Sequence, residues 1–200
     1  MRASDWDERY RATELVWGSG PNRWLVQEVA GLRPGTALDL ACGEGRNAIW
    51  LAEQGWRVVA VDYSAIGIAK GQALAEQRRT PGITWVVADA TTYTAAEPVD
   101  LALLCYLQLP AEQRRSAVRR AADALAPGGT LLVIGHDSRN LADGTGGPQD
   151  PAVLFTAADV AADLVGTGLV VERAGEVLRP VAGAARPAID ALLRAVRPPL

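Results

Sequence analysis

The stretch that decides the fold covers residues 36–48 and reads TALDLACGEGRNA. Its first part is a short apolar run that predicts a buried strand, and from Ala48 to Gly55 apolar residues recur at helical spacing. Gly43 and Gly45 lie between the two, where the lack of a Cβ atom lets a ligand approach the backbone closely. The sequence therefore predicts a strand, a glycine turn and a helix.

Outward from this stretch, short apolar runs alternate with amphipathic segments, which is typical of a parallel sheet with crossover helices. The predicted strands cover residues 36–41, 57–62, 83–89, 99–106, 130–135 and 169–181. Helices are predicted to begin after the glycine turn, after Ser64, at Pro110 and after Thr156, and the helix from Pro110 is predicted to end at Pro127. Residues 137–150 are rich in glycine and are predicted to form a surface loop.

Composition narrows the class of protein further. The chain has 200 residues, of which 49% are hydrophobic, so one domain with a sizeable core is expected. A formal net charge of −3 disfavours a nucleic-acid partner. No apolar stretch is long enough for a membrane span or a signal peptide, and we expect a cytoplasmic protein. With two cysteines and one histidine, neither a disulfide framework nor an all-protein metal site is expected.

Three carboxylates accompany the glycine turn. Asp62 ends the second predicted strand, and the glycine spacing with this acid also fits a dinucleotide-binding fingerprint. However, Asp39 and Glu44 would lie near the doubly anionic pyrophosphate, where two like charges 4 Å apart cost roughly 4 kcal/mol at an effective dielectric of 20. A ligand with a cationic centre suits the turn better, although Asp39 and Asp62 could also cap local turns.

The segment LDLACGEGRNAIWLA resembles the first motif of class I S-adenosylmethionine-dependent methyltransferases. Later elements keep the same order: Asp62, then Asp89 and Ala90 after the third strand, then APGGTLLVIG at the fifth. Together with VWGSGPN at residues 16–22, GEGRNAIWLA is similar to the tellurite and thiopurine methyltransferase branch. The resemblance implies a Rossmann-like, doubly wound α/β fold with helices on both faces of a mostly parallel, seven-stranded sheet whose last strand is antiparallel.

The resemblance also implies a cofactor, S-adenosylmethionine, with S-adenosylhomocysteine as its product. Asp39 and the backbone at Gly43 would hold the methionine amino group, and Asp62 the ribose hydroxyls. Tyr63 would pack on the adenine, and Asp89 and Ala90 would read its edge. The remaining residues expected to line the cofactor are Ala41, Glu44, Gly45, Arg46, Cys105 and Trp17. Arg46 could instead help an anionic acceptor, or pair with Asp39 or Glu44.

The acceptor is expected to be a small molecule (a thiol, a phenol or hydroxy-heterocycle, or an oxyanion) bound beyond the carboxyl ends of the strands. Methylation by in-line displacement depends mainly on aligning the acceptor with the methyl donor and on excluding water, and a general base is optional. An alcohol, however, would need its proton removed. His136 is the candidate base, and Tyr106 is a second candidate catalytic residue. Other residues expected around the acceptor are Leu107, Gln108, Asp137, Arg139, Trp17, Asn22 and Arg23.

Two further segments flank these motifs. Residues 1–35 are expected to form a helical lid on a methyltransferase domain covering residues 36–200, because two tryptophans of the kind found in protein interiors, Trp6 and Trp17, precede the first strand. Residues 188–197 have helical periodicity, yet the resembled fold needs one more strand there, preceded by a turn at Gly183. The stretch before it offers Arg179 and Arg186 but no histidine, which argues against tellurite as the substrate. A nicotinamide-dependent oxidoreductase and a non-catalytic S-adenosylmethionine-binding protein are the alternative interpretations.

Overall fold

The computed structural model describes residues 3–199 and contains a seven-stranded sheet in the order β3-β2-β1-β4-β5-β7-β6. Strands β1 to β5 are parallel, and β7 runs antiparallel to both β5 and β6. The strands are β1 (Thr36–Leu40), β2 (Arg57–Asp62), β3 (Ile83–Val87), β4 (Val99–Cys105), β5 (Leu125–His136), β6 (Val170–Arg179) and β7 (Ala188–Val196). The predicted sheet is confirmed, including its antiparallel last strand.

Helices cover both faces of the sheet. They are α1 (Ala3–Arg11), α2 (Arg23–Val29), α3 (Arg46–Glu53), α4 (Ala65–Arg78), α5 (Ala111–Asp123), α6 (Asn140–Asp143) and α7 (Ala157–Asp163), with a short 3-10 helix at Pro151–Val153. One hydrophobic cluster packs α2 and α3 on one face, and a second packs α5 and α7 on the other. Ser64 and Thr156 cap α4 and α7 through their side chains, as predicted.

Strand β7 settles the ambiguous tail. Its first six residues are all buried, because β7 lies inside the sheet between β5 and β6 with both faces covered. A strand buried on both faces is apolar at nearly every position, so its pattern can match a helical period by chance. Gly183 has a φ of 75° and lies in the turn that precedes the strand, as predicted.

Two boundaries differ from prediction. Helix α5 ends at Asp123, not at Pro127, because the amide of Val99 donates to the carbonyl of Ala124 at 2.8 Å and Leu125 is already buried beside β4. Residues 126–129 then form an irregularity within β5. The predicted surface loop at 137–150 contains α6, because the buried Asn140 side chain ties Gly146 to the strand residue Ile189.

The topology brings the chemistry to one edge of the sheet. The carboxyl ends of β1 to β5 meet there, together with the end of β6 and the start of β7, since β7 runs the opposite way. Within residues 3–199 no helix is long and apolar enough to cross a membrane.

Candidate active site

The glycine turn joins β1 to α3 through three residues in the left-handed region. Ala41, Gly43 and Gly45 have φ values of 61°, 57° and 74°. A Cβ atom on Gly45 would lie 2.3 Å from the Trp85 ring, so internal packing explains this glycine. A Cβ atom on Gly43 would lie 2.8 Å from the Tyr10 hydroxyl, because the N-terminal segment covers the turn. Ala41 adopts a conformation unfavourable for a residue with a Cβ, which is common at functional sites.

Asp39 has a buried carboxylate with no donor. It is fully buried at the end of β1, and neither of its oxygens has a hydrogen-bond partner among the residues described. Burial raises the pKa of Asp39 to about 7, and the negative charge of Asp62 adds to this effect, whereas the charge of Arg46 and the nearby Ala48 amide act in the opposite direction. Since buried polar groups are normally paired, such a carboxylate fits a site for a cationic group.

Asp62 lies at the end of β2 beside the same turn. Its Oδ2 accepts from the Gly43 amide at 2.9 Å, and its Oδ1 accepts from the Ser64 amide at 2.8 Å. Burial raises the pKa of Asp62 above its ordinary value. Asp62 therefore stabilises the local turn, as the alternative interpretation of its role predicted. Each of its oxygens keeps a second lone pair that can accept from a ligand hydroxyl.

Glu44 forms an ion pair with Lys70 and not with Arg46. Its Oε1 lies 2.9 Å from Nζ of Lys70, and its Oε2 accepts from the Val16 amide at 2.9 Å. Arg46 pairs with neither Glu44 nor Asp39 and donates instead to the carbonyl of Trp17 at 3.2 Å. Because Lys70 offsets the charge of Glu44, the electrostatic case against a dinucleotide depends on Asp39 alone.

The N-terminal segment covers the turn. Lys70 holds it by donating to the carbonyls of Tyr10 and Thr13, both at 2.6 Å. Tyr10 is buried, and burial, followed by the charge of Asp62, raises its pKa well above the ordinary value. Trp17 is 44% exposed, and the guanidinium of Arg9 lies 5.0 Å from the centre of its ring. The segment thus lies over the glycine turn, and its action as a lid stays a prediction.

The residues expected at the adenine follow β2 and β3. Burial raises the pKa of Tyr63 to about 12, and Ala90 is buried. Asp89 is exposed, and its Oδ1 accepts from both the amide and the hydroxyl of Thr91 at 2.8 Å. One oxygen of Asp89 therefore holds a local turn. Cys105 is the last residue of β4. Burial raises the pKa of its thiol to about 12, which makes Cys105 a poor nucleophile.

Tyr106 and His136 meet at the ends of β4 and β5. Their ring centres are 4.8 Å apart, and Tyr106 has a φ of 60°. Burial lowers the pKa of His136 below its usual value, so its imidazole is neutral at pH 7. The Tyr106 hydroxyl donates to Asp190 at 2.7 Å and accepts from Arg179 at 3.0 Å, which leaves it no proton to give and little capacity to take one.

Asp190 is the site residue that sequence reasoning missed. It is fully buried in β7, where its carboxylate binds the Trp24 indole and the Arg179 guanidinium and lies 3.5 Å from Nδ1 of His136. We call these residues the Asp190 cluster: Trp24, Tyr106, His136, Arg179 and Asp190. A single charge inside the apolar run of residues 188–193 was the signal that could have revealed it.

Among the other residues expected at the acceptor, one contacts His136 and the rest make local structural contacts. Gln108 supports His136 by accepting from its amide at 2.8 Å. Asn22 caps α2, and Arg23 lies over the Trp24 ring. Arg139 forms exposed ion pairs with Asp143 and Glu176. Of residues 3–199, no group of three or more His, Cys, Asp or Glu is placed to hold a metal ion.

Comparison with known proteins agrees with this geometry. Residues 37–129 match the family described as "Methyltransferase domain". The 2-heptyl-1-hydroxyquinolin-4(1H)-one methyltransferase of Mycobacteroides abscessus is 29% identical over 120 residues, which are 58% of this chain and 52% of that protein. The chain therefore spans about half the length of this curated relative.

Two solved structures share the fold. One comes from a study of the conversion of a disulfide bond into a thioacetal group during echinomycin biosynthesis (TM-score 0.80, 24% identity, 98% of this chain and 92% of that one). The other is TehB from Haemophilus influenzae (TM-score 0.70, 19% identity, 98% of this chain and 67% of that one). At these identities the likeness shows the fold alone.

The sheet order and the glycine turn are those of the class I S-adenosylmethionine-dependent methyltransferase fold, and residues 37–129 match the methyltransferase domain family. TehB is among the solved structures that have this fold.

Proposed function

We propose that the chain binds S-adenosylmethionine at the glycine turn and methylates a hydroxyl group on a phenolic or heteroaromatic small molecule. The observation that carries the proposal is Asp39, a fully buried carboxylate without a donor. The methionine ammonium would supply the missing charge and hydrogen bonds. When bound, the cofactor provides an electrophilic methyl group on a sulfonium.

Each predicted cofactor residue has a role in this proposal. Asp39 and the backbone around Gly43 hold the amino group, and Asp62 accepts from the ribose hydroxyls with the lone pairs that Gly43 and Ser64 leave free. Tyr63 packs on the adenine, and the second oxygen of Asp89 and the Ala90 amide bind its edge. The remaining proposed lining residues are Ala41, Glu44, Gly45, Arg46, Cys105 and Trp17. Glu44 acts mainly through Lys70 and Val16, which keep the lid in place.

Residues 1–35 act as the lid in this proposal, and residues 36–200 as the catalytic domain. Lys70 and Arg46 hold the carbonyls of Tyr10, Thr13 and Trp17 above the turn. A closed lid excludes water from the reacting atoms, which prevents hydrolysis and helps to keep donor and acceptor aligned. In this proposal Trp17 closes the space between cofactor and acceptor.

His136 makes the hydroxyl acceptor the preferred class. A neutral imidazole at the edge of the sheet can take the proton of a phenol or hydroxy-heterocycle as its oxygen attacks. The curated relative from M. abscessus is named for such an acceptor, a hydroxylated heteroaromatic. A thiolate or an oxyanion arrives already nucleophilic and needs no base, so these acceptors would leave His136 without a task. Tyr106 supports His136 by ring contact.

Partner and compartment follow from the same features. We propose a small-molecule acceptor and no nucleic acid, because the net charge of −3 offers little to neutralise phosphates. Cys42 and Cys105 are both free, which supports a reducing, cytoplasmic setting.

Incubation with S-adenosylmethionine labelled in its methyl group tests the proposal against a panel of hydroxyquinolones, phenols, thiols and disulfides. We expect label on the oxygen of a hydroxyl acceptor, and a loss of about a hundredfold or more in His136→Gln. Label only on sulfur, or full activity in His136→Gln, would reject the hydroxyl assignment. Binding of the cofactor without transfer to any acceptor would favour a non-catalytic protein, and binding of NAD in its place an oxidoreductase.

A further inference from the structure

Asp190 uses its two oxygens differently. Oδ2 accepts three hydrogen bonds: from Nε1 of Trp24 at 3.1 Å, from the Tyr106 hydroxyl at 2.7 Å and from Nε of Arg179 at 2.9 Å. Oδ1 lies 3.4 Å from Nη2 of Arg179 and 3.5 Å from Nδ1 of His136. Three donors therefore hold Oδ2, whereas Oδ1 accepts a longer hydrogen bond from Nη2 of Arg179 and faces the imidazole.

Nδ1 of His136 is buried and has no hydrogen-bond partner among the described residues, and this carboxylate oxygen lies 3.5 Å from it. A neutral imidazole carries its proton on one nitrogen only. A proton on Nδ1 would face a negative oxygen, whereas a lone pair on Nδ1 would face the same charge and be repelled. The charge of Asp190 therefore favours the form protonated at Nδ1, which leaves a lone pair on Nε2.

We propose that Asp190 is a positioning residue, which keeps the proton of His136 on Nδ1 and so presents the Nε2 lone pair to the acceptor hydroxyl. This inference rests on the proposed function for the identity of the acceptor. The proton of the hydroxyl moves to Nε2 while the oxygen forms its bond to the methyl carbon. The electron pair of the broken carbon–sulfur bond stays on sulfur, and the proton later leaves to solvent. Asp190 stabilises the imidazolium that forms between the two events.

A purely structural role is the competing interpretation, because Asp190 also joins α2, β4 and β6 through Trp24, Tyr106 and Arg179. That role requires the three hydrogen bonds to Oδ2 and makes no demand on the proton of His136. The tautomer of His136 therefore separates the two interpretations.

His136 is the only histidine in the chain, so 15N labelling of histidine reports on it without assignment. Long-range 15N–1H correlation spectra of the free protein at pH 8 distinguish a protonated from an unprotonated nitrogen. We expect the wild-type protein to show Nδ1 protonated and Nε2 unprotonated. A proton on Nε2, or an even mixture of the two forms, would overturn the proposal without the need for any variant.

Asp190→Asn sharpens the test. The side-chain amide must place its oxygen towards Trp24, Tyr106 and Arg179, because all three are donors. Its NH2 group then takes the place of Oδ1, so the 3.4 Å hydrogen bond from Nη2 of Arg179 is lost. The NH2 group also faces Nδ1, which becomes an acceptor, and the proton of His136 moves to Nε2. Unchanged His136 signals in a folded Asp190→Asn protein would contradict the proposal.

Asp163→Asn is the matched control. Asp163 is a carboxylate with 1% exposure that binds Arg114 at 2.7 Å and Arg115 at 3.2 Å, where α7 meets α5. It is equally buried and equally paired with arginine, but it belongs to neither half of the site. We expect this variant to leave the His136 spectrum unchanged, and a similar change in both variants would reject a specific effect of Asp190.

Activity gives an independent readout. In Asp190→Asn the rate with a phenol that is un-ionised at the assay pH should fall about a hundredfold, whereas the rate with a more acidic, already ionised acceptor should fall only a few fold. S-adenosylhomocysteine affinity should not change. An equal loss for both acceptors would indicate a structural role. If the wild-type protein transferred methyl to none of the acceptors, the proposed function would be refuted. The spectra of His136 would still decide the role of Asp190.

Discussion

Asp39 is a carboxylate that the folded protein buries without providing a donor. In the unfolded chain it ionises near its ordinary pKa of 3.8, and in the fold burial raises that pKa to about 7. Ionisation of Asp39 therefore opposes folding, by an amount that grows as the pH rises from about 4 to about 7 and is constant above. Its size is on the order of 4 kcal/mol.

Asp39→Asn removes this cost. We expect the variant to unfold at a higher temperature than the wild-type protein, with a larger gain at pH 8 than at pH 5, where much of the cost is absent. Thermal unfolding in the absence of ligand measures the difference. A less stable Asp39→Asn protein at pH 8 would show that the carboxylate serves the fold, and that its environment is not built for a cationic ligand.

Asp62→Ala tests the ribose contact. The substitution removes up to two hydrogen bonds from a charged group, each worth about 1.5–3 kcal/mol, so affinity for S-adenosylhomocysteine should fall at least tenfold. The Gly43 and Ser64 amides also lose their acceptor, and we expect lower thermal stability as well. Calorimetric titration measures the affinity, with Asp100→Ala, at the opposite end of the sheet, as control. Equal affinity in both variants and the wild-type protein would remove Asp62 from the site.

How well the sequence predicts a site residue depends on the range of its contacts. Asp39 and Asp62 lie at the ends of strands that can be predicted from local hydrophobicity, and Gly43 comes just after the first of them, so their meeting at one edge follows from the parallel topology. The Trp24–Asp190 hydrogen bond spans 166 positions, and Lys70 contacts Tyr10 across 60. No local pattern encodes such pairs, which is why the partner of Glu44 was not predicted.

At the scale of elements, α4 and the N-terminal segment act together through Lys70. Its ammonium joins Glu44 of the glycine turn to the carbonyls of Tyr10 and Thr13. Helix α1 packs on α4 in the same region. The N-terminal segment is thus fixed at its first helix and at the loop that follows. If this segment is the proposed lid, the cofactor enters by loosening these contacts.

Lys70→Met should release the lid. Glu44 would keep its buried charge with only the Val16 amide as partner, which is destabilising. We expect faster tryptic cleavage after Arg9 and Arg11, and at least tenfold slower methyl transfer, with most of the fold intact by circular dichroism. Lys70→Arg keeps the charge and the donors and should behave nearly as the wild-type protein. Unchanged cleavage and transfer in Lys70→Met would show that this segment is not a lid.

Strand β7 shows what the elements contribute beyond local pattern. Its helical periodicity competed with the need of the fold for a strand between β5 and β6, and the fold prevailed. Because β7 is antiparallel, its first residues lie at the carboxyl edge, which brings Asp190 opposite His136. The end of α5 was misplaced for a similar reason, since the pairing of Leu125 with Val99 outweighs the helix-breaking signal at Pro127.

At the scale of the whole molecule, one sheet edge carries two chemically distinct halves. The ends of β1 to β3 present carboxylates that suit a cofactor with a cationic amino group and hydroxyls. The ends of β4, β5 and β7 present a neutral imidazole with a fixed carboxylate behind it. The glycine turn and the N-terminal segment lie over the first half, and methyl transfer would take place where the two halves meet.

The most direct test of the central claim is calorimetric titration of the wild-type protein and Asp39→Asn with S-adenosylhomocysteine, with NAD as the competing ligand. We expect one site per chain for S-adenosylhomocysteine and no heat with NAD. Below about pH 7 affinity should weaken by up to tenfold per pH unit, because binding must release the proton of Asp39. Asp39→Asn should lose both the affinity and this pH dependence. Binding of NAD instead, or equal binding of S-adenosylhomocysteine by both proteins at every pH, would contradict the account.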